Sequence, residues 1–173
     1  MSMYTILKGS VRDVIINTLS EYPTTEVIYS NSSGTEPPST YCTIGKLTVS
    51  QKGKAQNSAL DEDFNSQTSV NYEVQTTVSF IGNNSGDLAF SSHVRLNNTT
   101  LNREFSQSRN LAVTNKSNVV SVPYLRGTKW VDVFSYDVSF NFIWGVLEEI
   151  QPILQVVIEN ADYSETITIP PQI

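Results

Sequence analysis

Two residue types on which many active sites depend are almost absent from this chain. Among its 173 residues there is one cysteine, Cys42, and one histidine, His93. A single cysteine excludes an intrachain disulfide and a thiolate metal cluster, and a single histidine excludes most histidine-rich metal sites. The motifs GxxxxGK[ST], GxGxxG, GxSxG and HExxH are also missing. We therefore predict a protein that is not an enzyme and that holds neither a metal nor a cofactor.

Charge and long apolar runs are scarce as well. Charged residues make up 16% of the chain, and the formal net charge is −6. Because neutralising nucleic-acid phosphates needs clustered Lys and Arg, a general nucleic-acid-binding surface is not expected. No stretch approaches the roughly 18 apolar residues that cross a bilayer, and Lys8, Arg12 and Asp13 make the N-terminal segment unlike a signal peptide. We expect a soluble protein made in a reducing cytoplasm, with no membrane partner.

The few candidate reactive groups have simpler structural explanations. His93 lies in the apolar face of a predicted helix, and a lone histidine without a nucleophile or metal partner is typical of a hydrogen-bonded core residue. A general base is the alternative. Asp61, Glu62 and Asp63 are adjacent in sequence, whereas the oxygen ligands of a calcium loop alternate with spacer residues. A solvated acidic cluster is therefore favoured over a cation site.

The chain does contain one strongly patterned stretch, WVDVFSYDVSFNFIW, at residues 130–144. Aromatic and apolar residues recur there at every second position, broken only by Asp132, and Val133, Ser135, Asp137, Ser139 and Asn141 form a mostly polar face between them. This period of two is typical of a strand with one buried face. We predict a core aromatic strand in the middle of a sheet, with Trp130, Phe134, Tyr136, Phe140 and Phe142 on its buried face.

The remaining segments alternate between helical and strand patterns. Helical spacing predicts an N-terminal amphipathic helix over residues 5–20 and a second helix over 86–97, with a short helical turn after it. Strands are predicted at 26–30, 41–52, 70–81 and 118–125, and a terminal hairpin lies within 150–173. We predict one α+β domain over residues 1–173. It has a largely antiparallel mixed sheet, an N-terminal helix and one or two central helices packed on one face, and a long β-hairpin loop.

Residues 51–69 show no periodicity and form the long loop of that hairpin. Structureless stretches of this length inside a domain are usually functional or disordered. One interpretation is a solvated hairpin tip. The other is a partner-contact loop, whose candidate residues are Lys52, Lys54, Asp61, Glu62 and Asp63.

Three segments give the chain a family resemblance. They are TYCTIGKL after a proline pair, the strand VNYEVQTTVSFIG followed by the helix SGDLAFSSHVRLNN, and NVVSVPYL followed by RGTKWVDVFSYDVSFNF. In order, spacing and residue type they resemble the bacteriophage neck-terminator and tail-terminator-like proteins of the head–tail junction, over most of residues 5–142. The 51–69 loop and the terminal hairpin are the parts that match least.

The resemblance implies a structural virion protein rather than a reaction. Such proteins assemble in the host cytoplasm as rings, commonly of six subunits, that terminate the tail tube and join it to the head connector. Genomic DNA passes through the ring without sequence-specific binding. The implied partners are other copies of the chain, the tail tube protein and the connector or adaptor proteins. Two alternatives stay open: a collar or sheath-terminator subunit of the same neck, which would contact sheath or collar protein, and a glycan-binding, adhesin-like β module.

Overall fold

The computed structural model describes residues 2–32, 35–59, 65–149, 155–160 and 163–168. These residues form three helices and eleven strands. The helices are α1 (Met3–Thr18), α2 (Ser85–Arg95) and α3 (Thr99–Arg109). The strands are β1 (Glu26–Tyr29), β2 (Tyr41–Ile44), β3 (Thr48–Asn57), β4 (Asn65–Ile81), β5 (Leu111–Lys116), β6 (Val120–Ser121), β7 (Tyr124–Arg126), β8 (Lys129–Val131), β9 (Val133–Glu149), β10 (Gln155–Asn160) and β11 (Tyr163–Thr168).

One seven-stranded sheet organises these elements. Its strands follow the order β1–β2–β4–β9–β5, with β3 also paired to β4 and β6 to β9. The β1–β2 pair is parallel, whereas β2–β4, β5–β9 and β6–β9 are antiparallel. The pairs β7–β8 and β10–β11 form separate two-stranded sheets. The predicted α+β class, with its mostly antiparallel mixed sheet and N-terminal helix, is confirmed, and the predicted 70–81 strand lies beside the aromatic strand.

The core forms where α1 and α2 pack on alternate residues of the central strands. Ser2 begins α1 by accepting a hydrogen bond from the Thr5 amide at 3.3 Å. The helix then buries residues at helical spacing against the sheet. Together with the central strands it contributes most of the largest fully buried side chains: Leu7, Val11, Ile15, Val74, Val78, Phe80, Tyr136, Val138, Phe140 and Phe142. Burial of each such side chain stabilises the fold by roughly 1.5–3 kcal/mol, so this cluster fixes the position of the sheet.

A chain of buried hydroxyl groups joins α1, α2 and β9. The Ser92 Oγ lies 2.7 Å from the Tyr136 hydroxyl and 2.7 Å from the Thr18 Oγ. Thr18 donates its own proton to the Ile15 carbonyl at 2.7 Å. Because each hydroxyl has one proton, Ser92 must donate to Thr18, and Tyr136 must donate to Ser92. All three side chains are therefore paired, as burial of polar groups requires.

The chain divides into two compact units. The first unit comprises Met1–Gly53 and Asn71–Trp144, and the second comprises Lys54–Val70 and Gly145–Ile173. The buried cluster described above belongs entirely to the first unit. The described part of the second unit contains strand ends and the β10–β11 hairpin, with register from Gln155↔Thr168 to Asn160↔Tyr163. The single domain over residues 1–173 stays a prediction.

The polar stretch 51–69 is more regular than predicted. Strand β3 continues to Asn57 and β4 begins at Asn65, so most of the stretch is hairpin rather than loop. The sequence has no alternation here because nearly every residue of β3 is exposed, and neither face selects apolar side chains. The predicted 41–52 strand also divides, between β2 and β3. Gly45 lies at the division, where its amide donates to the Thr77 carbonyl at 2.8 Å.

Two further segments were underestimated for the same reason. The short helical turn predicted after residue 100 is the full helix α3, which has no buried residue. Residues 109–118, for which no element was predicted, contain β5, of which only Leu111 is buried. Both elements lack the apolar period that would reveal them in sequence.

Candidate interaction surface

His93 occupies a structural position. Its Nε2 lies 2.9 Å from the Ser117 carbonyl oxygen, to which it donates, and its Nδ1 lies 3.3 Å from the Lys116 ammonium. Lys116 also donates to the His93 carbonyl oxygen, and burial lowers the pKa of Lys116. The imidazole edge meets the Tyr136 ring at 5.3 Å between centroids. Both ring nitrogens are thus engaged, and among the described residues no group of three or more His, Cys, Asp or Glu could hold a metal ion.

The aromatic strand keeps most of its predicted residues but loses its first. Tyr136, Phe140 and Phe142 are at most 2% exposed, and Phe134 is half-buried. The prediction for Trp130 is wrong, because this side chain is 71% exposed and lies in β8, which pairs with β7 outside the main sheet. The chain leaves the sheet at residue 132, one residue before β9 begins.

Backbone hydrogen bonding explains that break. The Asp132 carbonyl accepts a hydrogen bond from the Gly82 amide at 3.0 Å and from the Ser85 hydroxyl at 3.3 Å. Gly82 belongs to the turn between β4 and α2, and Ser85 is the first residue of α2. These two hydrogen bonds hold Asp132 against that turn. The alternation of the sequence continues across this point although the strand does not.

The residues of the predicted partner-contact loop fall into two groups. Lys52 and Lys54 lie in β3, not in a loop. Lys52 is 60% exposed and forms an ion pair with Glu73 at 3.0 Å, a surface contact that contributes at most about 1 kcal/mol. Asp61, Glu62 and Asp63 lie outside the described residues. Partner contact by these five residues stays a prediction.

The sheet face opposite the helices is polar. Thr77 donates to Asp137 at 2.6 Å, and Ser135 donates to Ser79 at 2.9 Å, across the β4–β9 pair. A shallow cavity of about 340 Å³ lies on this face, bordered by Lys46, Gln75, Asp137 and neighbouring hydroxyl groups. Such a surface suits hydrated contacts rather than an apolar ligand.

The comparison with protein families settles the broad class of this molecule. Residues 1–171 match the model of a family described as phage neck terminator protein. The chain belongs to this family. The match includes the 51–69 stretch and the terminal hairpin, which the sequence resemblance alone did not cover. The curated proteins contain no significant match.

As a phage neck terminator protein, the chain is a structural component of the virion that interacts with other phage head and tail proteins. This family is not a class of enzymes. None of the helices in the described residues is long and apolar enough to span a membrane. The functional question for this neck terminator is therefore which surfaces it offers to other proteins.

A group of exposed apolar side chains was missed in the sequence. Large apolar side chains of β6–β8 and of the segment between them are more than half exposed: Val120, Val122, Leu125 and Trp130. Leu125 and Trp130 lie opposite each other in the β7–β8 register. A signal was present in the sequence, since Pro123 interrupts the predicted 118–125 strand and a proline inside a strand indicates a sheet edge. Neck terminators must contact neighbours, and exposed apolar patches commonly mark such sites.

Proposed function

We propose that this neck terminator forms a ring, of six subunits, that ends the tail tube and joins it to the head connector. The observation that carries the proposal is the family match over residues 1–171. The ring leaves a channel through which genomic DNA passes during ejection. The tail tube protein and the connector or adaptor proteins contact its two ends.

The charge of the chain supports a channel that does not retain DNA. The net charge is −6, and acidic walls repel phosphate groups instead of binding them. The polar sheet face supports hydrated contacts with neighbouring proteins. The exposed edges of the β3–β4 and β10–β11 hairpins can pair with strands of a neighbouring subunit.

The tip of the β3–β4 hairpin reaches the tube or connector in this proposal. Residues Lys52, Lys54, Asp61, Glu62 and Asp63 supply its contacts. The chain acts as one functional subunit although it has two compact units.

The proposal is tested by removing the gene product from the phage that encodes it and supplying variants from a plasmid. Loss of the protein is expected to give tail tubes of uncontrolled length and heads without joined tails, as seen by electron microscopy. The unaltered chain restores infectious particles. A variant lacking residues 53–66 is expected to fold but to restore few of them.

Each alternative outcome has a defined meaning. Tails of normal length on joined heads, formed without the protein, would contradict tube termination. Tubes of normal length with a detached sheath would instead indicate a collar or sheath terminator. Full rescue by the shortened variant, with the wild-type chain as control, would remove the hairpin tip from the mechanism.

A further inference from the structure

Strand β6 has an unpaired side. It pairs with β9, and the amide of the following residue, Val122, donates to the Val133 carbonyl at 2.8 Å. Because main-chain groups alternate in direction along an antiparallel ladder, the amide and carbonyl of Ser121 point away from β9. Neither group has a hydrogen-bond partner among the described residues. Another strand can pair with unpaired edge groups of this kind.

The opposite edge of the main sheet, at β1, is closed by hydrogen bonds. The Val27 carbonyl accepts from the Arg12 Nε at 3.1 Å, and the Tyr29 carbonyl accepts from the Ser32 amide at 2.9 Å. Carbonyls occupied in this way cannot pair with an added strand. The β6 side is therefore the better place for a strand from another molecule to join the main sheet.

Helix α2 carries exposed apolar side chains beside β6. Phe90 packs on Phe134, the register partner of Ser121, at 6.4 Å between ring centroids. Val94 follows four residues later, so it lies on the same flank of the helix. Phe90 and Val94 are 55% and 65% exposed, whereas Ala89 of the same helix is fully buried. Exposed apolar side chains that lie together commonly mark sites of protein contact.

A cation lies farther along the same edge, at the end of β5. Lys116 is half-buried, and its ammonium donates to the carbonyl of His93 in α2. Burial lowers the pKa of Lys116, and this side chain makes no ion pair with the described residues. A carboxylate brought to the ammonium would favour its charged form and form a charge-assisted hydrogen bond.

The strand registers place these features on one face at a fixed spacing. Lys116 is the register partner of Val138, and Ser121 is that of Phe134. Val138 and Phe134 are four residues apart in β9, so they point to the same face and lie about 13 Å apart along the strand. A strand added at this edge therefore presents two residues, four positions apart, to Ser121 and to Lys116.

We propose that an edge surface formed by Phe90, Val94, Lys116 and Ser121 binds an extended segment of another phage head or tail protein. The main chain of the segment pairs with Ser121. It presents an apolar side chain to Phe90 and Val94 and, four residues away, a carboxylate to Lys116. The proposal rests on the proposed contacts with tube and connector proteins, and it names the surface that makes one of them.

The described strands of this chain do not supply such a segment. Strands β4 and β9 are central in the main sheet and already paired there. Apart from them, no described strand contains an acidic residue four positions from an apolar one. In β10, for example, Glu159 is four positions from Gln155. The segment in the proposal therefore belongs to a different protein, and neck terminators interact with other phage proteins.

Matched substitutions on two helices test the apolar part of the edge surface. Val94→Asp places a carboxylate against an acidic partner. In plasmid complementation of a phage that lacks the protein, it is expected to lower the yield of infectious particles by roughly tenfold or more. The control is Ile16→Asp, at a 40% exposed position in the last turn of α1, as Val94 is in the last turn of α2. It is expected to leave the yield unchanged, and circular dichroism verifies that both variants fold. An unchanged yield for Val94→Asp, or an equal loss for Ile16→Asp, would overturn the inference.

A proline at residue 121 tests the strand pairing itself. Ser121→Pro removes the amide proton that points away from β9 and leaves the ladder between β6 and β9 intact. The variant is expected to keep a Tm close to that of the wild-type chain and to restore as few infectious particles as Val94→Asp. Full rescue by Ser121→Pro would rule out strand addition at this edge.

A photo-crosslinker identifies the occupant of the edge surface. A p-benzoylphenylalanine residue at position 94, in purified phage particles, is expected to cross-link to a segment of another head or tail protein. Mass spectrometry of the cross-linked peptide should show an apolar and an acidic residue four positions apart. A cross-link to another copy of this chain, or no cross-link, contradicts the inference and leaves the proposed ring standing. The ring fails separately, if tails of normal length join heads in the phage that lacks the protein.

Discussion

The two units use the same strands in different ways. Strands β4 and β9 each run through both units, yet only their portions in the first unit alternate buried apolar and exposed polar residues. In the second unit, Val146 and Leu147 of β9 are 47% and 68% exposed. The same two strands therefore pack against a hydrophobic core in the first unit, whereas Val146 and Leu147 of the second unit are exposed.

The buried cluster and the excess of negative charge therefore lie in different units. The first unit contains all of the buried cluster and is nearly neutral, so its sequence is constrained by packing. The second unit concentrates a net charge of −7, and like charges repel one another. We expect the stability of the fold to depend strongly on the first unit, where the buried cluster lies.

Matched leucine substitutions should give the largest contrast between the units. Leu111 of β5 is 1% exposed, and Leu111→Ala is expected to lower the free energy of unfolding by about 2–5 kcal/mol because it leaves a cavity. Leu147→Ala, at a 68% exposed position of β9, is expected to change it by less than about 0.5 kcal/mol. Urea unfolding followed by circular dichroism measures both. Equal losses would show that the second unit has a core of its own.

Matched serine substitutions test the buried hydroxyl chain. Ser92→Ala removes the group between Tyr136 and Thr18 and leaves the Tyr136 proton without its acceptor. The expected loss is about 1–3 kcal/mol. Ser58 in the second unit accepts from the Gln67 amide at 2.8 Å, but it is exposed, so water can replace it and Ser58→Ala is expected to cost less than about 1 kcal/mol. Thermal unfolding of both variants and of the wild-type chain measures the two losses of stability. A larger loss for Ser58→Ala than for Ser92→Ala would contradict the role given to the buried hydroxyl chain.

The same difference in burial explains which strands could be predicted from the sequence and which could not. Val74, Val78 and Phe80 alternate with polar residues because a core covers one face of β4, and this strand was predicted correctly. Strand β3 has no covered face, so its hydrogen-bonded ladder left no pattern in the residues. Periodicity reports burial, and it reports a strand only where the strand has a buried side.

Trp130 illustrates the opposite error. Its position matched the alternation of the aromatic strand, but the chain changes sheets at Asp132. The carboxylate interrupting the aromatic face was the local sign of that change. Which neighbour the exposed Trp130 contacts depends on surfaces outside this chain's own core, and no pattern within one sequence specifies them.

Raising the pH above 10 should give the smallest of the expected differences in folding stability. Tyr136 is 2% exposed, and burial raises the pKa of its hydroxyl above the ordinary value of 10.0. Below pH 10 the phenol is neutral in both states. Above it the unfolded chain loses this proton first, so the stability of the folded state falls with rising pH, by at most about 1.4 kcal/mol per pH unit for this one group.

Replacing Tyr136 removes that contribution. Tyr136→Phe is expected to lower stability at neutral pH, because a hydrogen bond is lost, and to flatten the fall in Tm between about pH 9 and 11. Tyr163→Phe in the second unit is the comparison variant, and it leaves the slope unchanged if alkaline destabilisation arises from the core of the first unit. Thermal unfolding across the pH series compares the slopes. If Tyr163→Phe flattened the curve as much as Tyr136→Phe, alkaline destabilisation would not be a property of the first unit's core.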